Sequence, residues 1–106
     1  MTTDELRDAL WEIRAELKRA PDIVQDLELA AERDELMADG RYDRALLNAT
    51  GNVEERKAYA RVQSQGERDQ ANISRAAYNR ARLKVRLLES EVMALQSLLK
   101  SVQAET

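Results

Sequence analysis

Apolar residues recur along this chain at alternating three- and four-residue steps, the spacing of one face of an α-helix. The first row is Leu6, Leu10, Ile13, Leu17 and Val24, with the small Ala20 in its gap. Thr2 and Glu5 precede it as a capping box: the hydroxyl accepts the third helical N–H and the carboxylate reaches back. Pro21 interrupts the row. With Asp22 beside it, Pro21 fits the first turn of a new helix, where a missing N–H costs nothing. The pattern predicts one helix over roughly 3–19 and a second beginning near 21. The second carries Ile23, Val24, Leu27, Ala30, Ala31, Leu36 and Met37. Tyr42, Ala45, Leu46 and Ala49 resume the spacing after Asp39-Gly40, which favours one continuing helix with a weak point at Gly40.

Thr50-Gly51-Asn52-Val53 is the clearest loop. Gly51 suits a left-handed C-terminal cap, and Asn52 with Glu55 makes an N-cap pair for the next helix. From there to about Glu105 no Pro occurs and Gly66 is the only Gly, so the sequence implies a helix of about 50 residues, roughly 75 Å long. A helix of that length must protrude, fold back on the preceding one, or pack against other subunits. Its last third favours packing against subunits. Ala81, Val85, Leu88, Val92, Leu95, Leu99 and Val102 keep strict four-three steps, a heptad seam read as an oligomerisation surface. Leu87, Ala94 and Leu98 widen that seam toward a bundle. Residues 54–80 show a weaker core pattern of Ala58, Val62, Ile73 and Ala76, as if they formed the exposed end of the same rod. The expected fold is all-α: a long helical hairpin or coiled-coil bundle assembled as an oligomer. Its acidic N-terminal helices occupy 1–50, and a long basic helix with the C-terminal heptad seam occupies 51–106.

Composition removes several chemistries. The 106 residues include no Cys, no His and no Phe, and only one Trp and three Tyr. Without Cys or His there is no disulfide scaffold, zinc site, haem attachment, thiol nucleophile or imidazole acid–base pair. No phosphate loop or nucleophile elbow is present, so an enzyme is not expected. No cofactor is implied. Carboxylates cluster at Asp4, Glu5 and Asp8 and at Glu28, Glu32 and Glu35, but helix-bundle metal sites pair such groups with His. No long apolar run suggests a membrane span, and the acidic N-terminus does not read as a secretory signal, so a cytoplasmic location is expected.

Charge is unevenly placed. The net charge is −3, but residues 1–53 carry −6 and residues 54–106 carry +3, with nine basic against two acidic residues in 56–86. Arg61, Arg68, Arg75 and Arg82 recur every seven residues and form one stripe, with Arg86, Asn72 and Asn79 on the same face. Measured from the Ala81–Val102 seam the stripe lies about 110° away, a position expected to stay in solvent. Guanidinium groups on a rigid rod suit a phosphate backbone, and Tyr78 is placed to stack on an unpaired base. Solvated coiled-coil positions carry the same residue types for solubility alone. Trp11 lies off the Leu6–Leu17 row, either covering a neighbouring helix or serving as a protein-binding anchor.

The stretch TGNVEERKAYARVQ, the Ala/Arg-rich helix after it and the ending LESEVMALQSLLKSVQAE resemble the UvsY-like recombination mediators of bacteriophages, over residues 50–105. That resemblance implies an oligomeric, non-enzymatic protein that holds single-stranded DNA, helps displace the single-strand-binding protein and helps load a RecA-like recombinase. In this sequence the DNA-facing residues would be Arg56 and Lys57 in the motif itself. Arg61, Arg68, Arg75, Tyr78, Arg82 and Arg86 join them from the stripe. Two other readings stand beside it. One is a structural or scaffolding coiled-coil protein whose acidic and basic halves pair between subunits, so that high salt loosens the oligomer. The other is an inhibitor of a host defence protein that uses its acidic half as a nucleic-acid mimic. No base-reading pattern separates DNA from RNA.

Overall fold

The computed structural model describes residues 1–105 and is all-α, with two helices: α1, Thr3–Asn48, and α2, Val53–Ala104. Both start where the sequence places a cap. Thr2 Oγ1 accepts the Glu5 N–H at 3.2 Å, and Asn52 Oδ1 accepts the Glu55 N–H at 2.9 Å while its Nδ2 donates to Glu55 Oε1 at 2.7 Å. Gly51 takes a φ of 103°, the left-handed conformation expected of a residue that ends a helix and turns the chain.

α1 runs unbroken through Pro21, where the sequence predicts a break. Pro21 cannot donate to the Leu17 carbonyl, and a proline inside a helix costs about 3 kcal/mol. Tertiary contact overrides that cost. Leu17 and Val24, on either side of the proline, are half-buried beside Val85 of α2, while Pro21 itself is exposed. Gly40 also lies within continuous helix, as its flanking residues imply.

The chain forms two compact units, each a pair of helical segments. One joins Met1–Val24 to the end of the chain from Arg80. Its seam on α1 is the predicted row: Leu6 and Leu10 are buried, and Ile13, Leu17, Ala20 and Val24 are half-buried. On α2 the seam is Ala81, Val85, Leu88, Val92, Leu95, Leu99 and Val102, all half-buried. The residues read as an oligomerisation seam thus lie in a pairing within their own chain.

The other unit, Gln25–Asn79, is an antiparallel hairpin around the 49–52 loop. Its core is built differently. Ala31, Ala38 and Ala45, seven residues apart, are fully or almost fully buried on α1, and Ala60, Ser64 and Ala71 on α2. Small residues let two helix backbones approach closely, so packing replaces bulk. The predicted core of this stretch is corrected here. Ala58 and Ala76 are exposed, and Val62 and Ile73 are 72% and 60% exposed. The true seam on α2 keeps the four-three steps of its C-terminal end through Ala60, Ser64, Glu67, Ala71, Ser74 and Tyr78. Periodicity of large apolar residues cannot reveal a seam made of small and polar ones.

Glycine and proline substitutions separate these effects. A Cβ at Gly40 or Gly66 meets nothing within 4 Å, so Gly40→Ala and Gly66→Ala each stabilise the fold by about 0.5–1 kcal/mol. Pro21→Ala stabilises by up to about 3 kcal/mol. Gly51→Ala lowers stability, because it strains a positive φ and places the new Cβ 2.5 Å from Glu55 Oε2. Thermal melts followed by circular dichroism check all four.

Candidate functional site

The arginine row Arg61, Arg68, Arg75 and Arg82 does not stand clear of the helix pair. Each member sits one residue after a seam position (Ala60, Glu67, Ser74, Ala81) and three before the next (Ser64, Ala71, Tyr78, Val85). In coiled coils these flanking positions reach across to the partner helix. Here they do so. Arg75 places Nε and Nη2 each 2.9 Å from Glu35 Oε1, and its guanidinium lies 5.5 Å from the centre of the Tyr78 ring. Arg68 Nη2 donates to Asp39 Oδ1 at 2.6 Å. The expectation that the row remains in solvent is corrected for these two residues. The angle holds along the whole seam; what it leaves out is that a long guanidinium side chain at a flanking position reaches across to the partner helix.

The other predicted contact residues are dispersed. Arg56 is half-buried beside the loop, with Nη2 donating to the Leu46 carbonyl at 3.4 Å and Nε buried without a hydrogen-bond partner. Lys57 is exposed next to it, and Arg56, Lys57, Leu46 and Val53 line a small cavity of about 130 Å³. Arg61 is exposed. Tyr78 is half-buried on the seam, so its ring is not a free stacking platform. Arg82 and Arg86 belong to the first unit, where both line a groove next to Pro21. Lys84, in the same unit, pairs with Glu16 at 2.9 Å. Acidic α1 and basic α2 therefore pair within the chain at these three points.

One polar cluster escaped the sequence reading. Asp34 occupies a seam position between Ala31 and Ala38 and is only 6% exposed. It accepts a hydrogen bond from the Ser74 hydroxyl and another from Arg33 Nε at 3.3 Å. Arg41 spans the same seam, donating from Nε to the Gln63 carbonyl at 3.3 Å and from Nη2 to Gln63 Oε1 at 3.2 Å. The signal was an acid and an arginine at steps where the repeat calls for apolar residues. Such groups favour one register, since a slipped pairing takes the Ser74 donor away from the buried carboxylate.

Among the described residues no group of three or more His, Cys, Asp or Glu side chains is placed to hold a metal ion. Among the described residues no helix is long and apolar enough to cross a membrane. The chain matches no protein-family model, no curated protein and no solved structure.

The carboxyls of Asp34, on the seam, and Glu35, flanking it, are both lowered from their ordinary values. Donation from Ser74, helped by Arg33 and opposed by burial, holds Asp34 below the ordinary carboxylate range, and the Arg75 hydrogen bond does the same for Glu35. Glu35 in turn raises Arg75. A carboxylate depressed in the folded state contributes stability above its unfolded pKa and loses it as pH falls through the folded value. The melting temperature is therefore flat near neutrality and falls below about pH 4. Glu35→Gln shrinks that acid-side fall, and salt shrinks the remaining Arg75 contribution, because this pair is more than one-third exposed. Melts between pH 2 and 7 at two salt concentrations read both effects.

Proposed function

We propose that this protein is a non-enzymatic scaffolding protein that works through protein–protein contact, with paired helices as its rigid support. The observation that carries this reading is a division of labour on the surface. Arg68, Arg75 and Lys84 are engaged by carboxylates of α1, while Leu36, Met37, Val62 and Ile73 are each more than half exposed and Trp11 is 73% exposed. Contiguous apolar patches, rather than single residues, mark surfaces that bind other protein, and these side chains are the apolar surface this chain offers a partner. The recombination-mediator reading instead asks the arginine row to collect phosphates, and the middle of that row is already paired with Glu35 and Asp39.

Salt separates the two. Pairing of charges between subunits would dissolve in high salt, but here the charges pair within the chain. Association through apolar faces therefore persists at about 500 mM salt in sedimentation experiments. The double variant Leu36→Arg with Ile73→Arg keeps its helicity and weakens association. In fluorescence anisotropy, a labelled single-stranded DNA shows no tight binding even at about 50 mM salt. A monomer that binds single strands tightly and releases them as salt rises would replace this reading with the mediator.

A further inference from the structure

The groove beside Pro21 is a gap in the seam of the first unit. It encloses about 510 Å³ between Leu17, Ala20, Pro21 and Val24 of α1 and Arg82, Val85, Arg86 and Glu89 of α2. A second cavity of about 110 Å³ opens on the other side of the same layer and shares Ala20, Val24 and Val85 with the first. The cause is composition. Ala20 faces α2 at a layer where the neighbouring seam residue is Ala81, so two small side chains stand where leucines fill other layers. Pro21, turned outward, does not fill the opening. The floor is apolar, and the rim carries two arginines and one glutamate.

A ligand for this groove is present on the chain. Trp11 is the only tryptophan and is 73% exposed. Asp4, Asp8 and Glu12 stand seven and three residues before it and one after, and Arg7 and Arg14 flank it. Asp4, Asp8 and Glu12 outnumber Arg7 and Arg14 around Trp11, and arginine outnumbers glutamate on the groove rim, so the two surfaces are complementary in net sign. Trp11 cannot enter its own groove, because ten residues of continuous helix, roughly 15 Å, separate it from Pro21. We infer that Trp11 of one copy inserts into the groove at Ala20 and Pro21 of a second copy. The exchange is reciprocal, so two indoles fill two grooves and the contact closes as a two-fold dimer. A buried aromatic in an apolar pocket with charges at the rim is the arrangement of an interface hot spot.

This inference rests on the scaffolding reading and names one contact within it. The single tryptophan makes it directly measurable. As the full chain is concentrated, sedimentation velocity reports a dimer, Trp11 emission shifts to shorter wavelength and acrylamide quenching falls. Ala20→Leu fills the gap from inside: it keeps helicity, raises or preserves the melting temperature, and abolishes the emission shift. Arg86→Glu, outside the seam, weakens the dimer at least about tenfold. The inference is overturned if Trp11 stays fully quenchable at every concentration, or if Ala20→Leu dimerises with an unchanged emission shift. Association that persists with an exposed Trp11 sinks this contact and leaves the scaffolding reading intact. A strict monomer sinks it too, and the DNA and salt measurements then judge that reading separately.

Discussion

A pair of helices can bury one stripe on each, and that limit governs the rest of this protein. Two cylinders touch along a line, so a two-helix unit has a seam but no interior. Residues at the three-four steps are covered, residues flanking them are half-covered, and the remaining faces meet water whatever their chemistry. The seam therefore sets the positions of Arg68 and Arg75, the burial of Asp34 and the exposure of Ile73 and Leu36.

The two units meet this limit in opposite ways. Around Leu6 and Leu10 the seam is filled with large aliphatic side chains, and its weak point is the small-residue layer at Ala20. Around Ala31, Ala38 and Ala71 the most buried seam residues are small. Polar pairs cross the helices there as well: Asp34 with Ser74, Arg41 with Gln63, and Arg75 with Glu35. These bonds add little net free energy in partly exposed positions, but they penalise any other register. The charge asymmetry between the two halves of the sequence thereby acquires a structural use as the match between one helix and the other.

Function is the product of what the seam leaves over. Arg68, Arg75 and Lys84 are held by carboxylates of α1, and the large apolar residues away from the seam face water. Under the scaffolding role proposed above, these exposed apolar faces are the ones that meet other protein. In the dimer proposed above, the underfilled layer at Ala20 is the receptacle and Trp11 the side chain that enters it.

The sequence by itself determined the helices, their caps at Thr2 and Asn52, the turn at Gly51 and the seam rows of the large aliphatic residues. Each of these is a local effect or a repeat of bulky side chains, and both are legible without coordinates. Tertiary structure decided three things that local chemistry could not. It carried α1 through Pro21, because flanking seam contacts outweigh one lost hydrogen bond. It placed a second seam on alanine, serine and aspartate, residues whose burial depends on what lies opposite rather than on their own hydrophobicity. And it turned the middle of the arginine row from an expected free face into a flank. The sign and reach of a charge are written in the sequence, but its partner is set by which helix packs beside it.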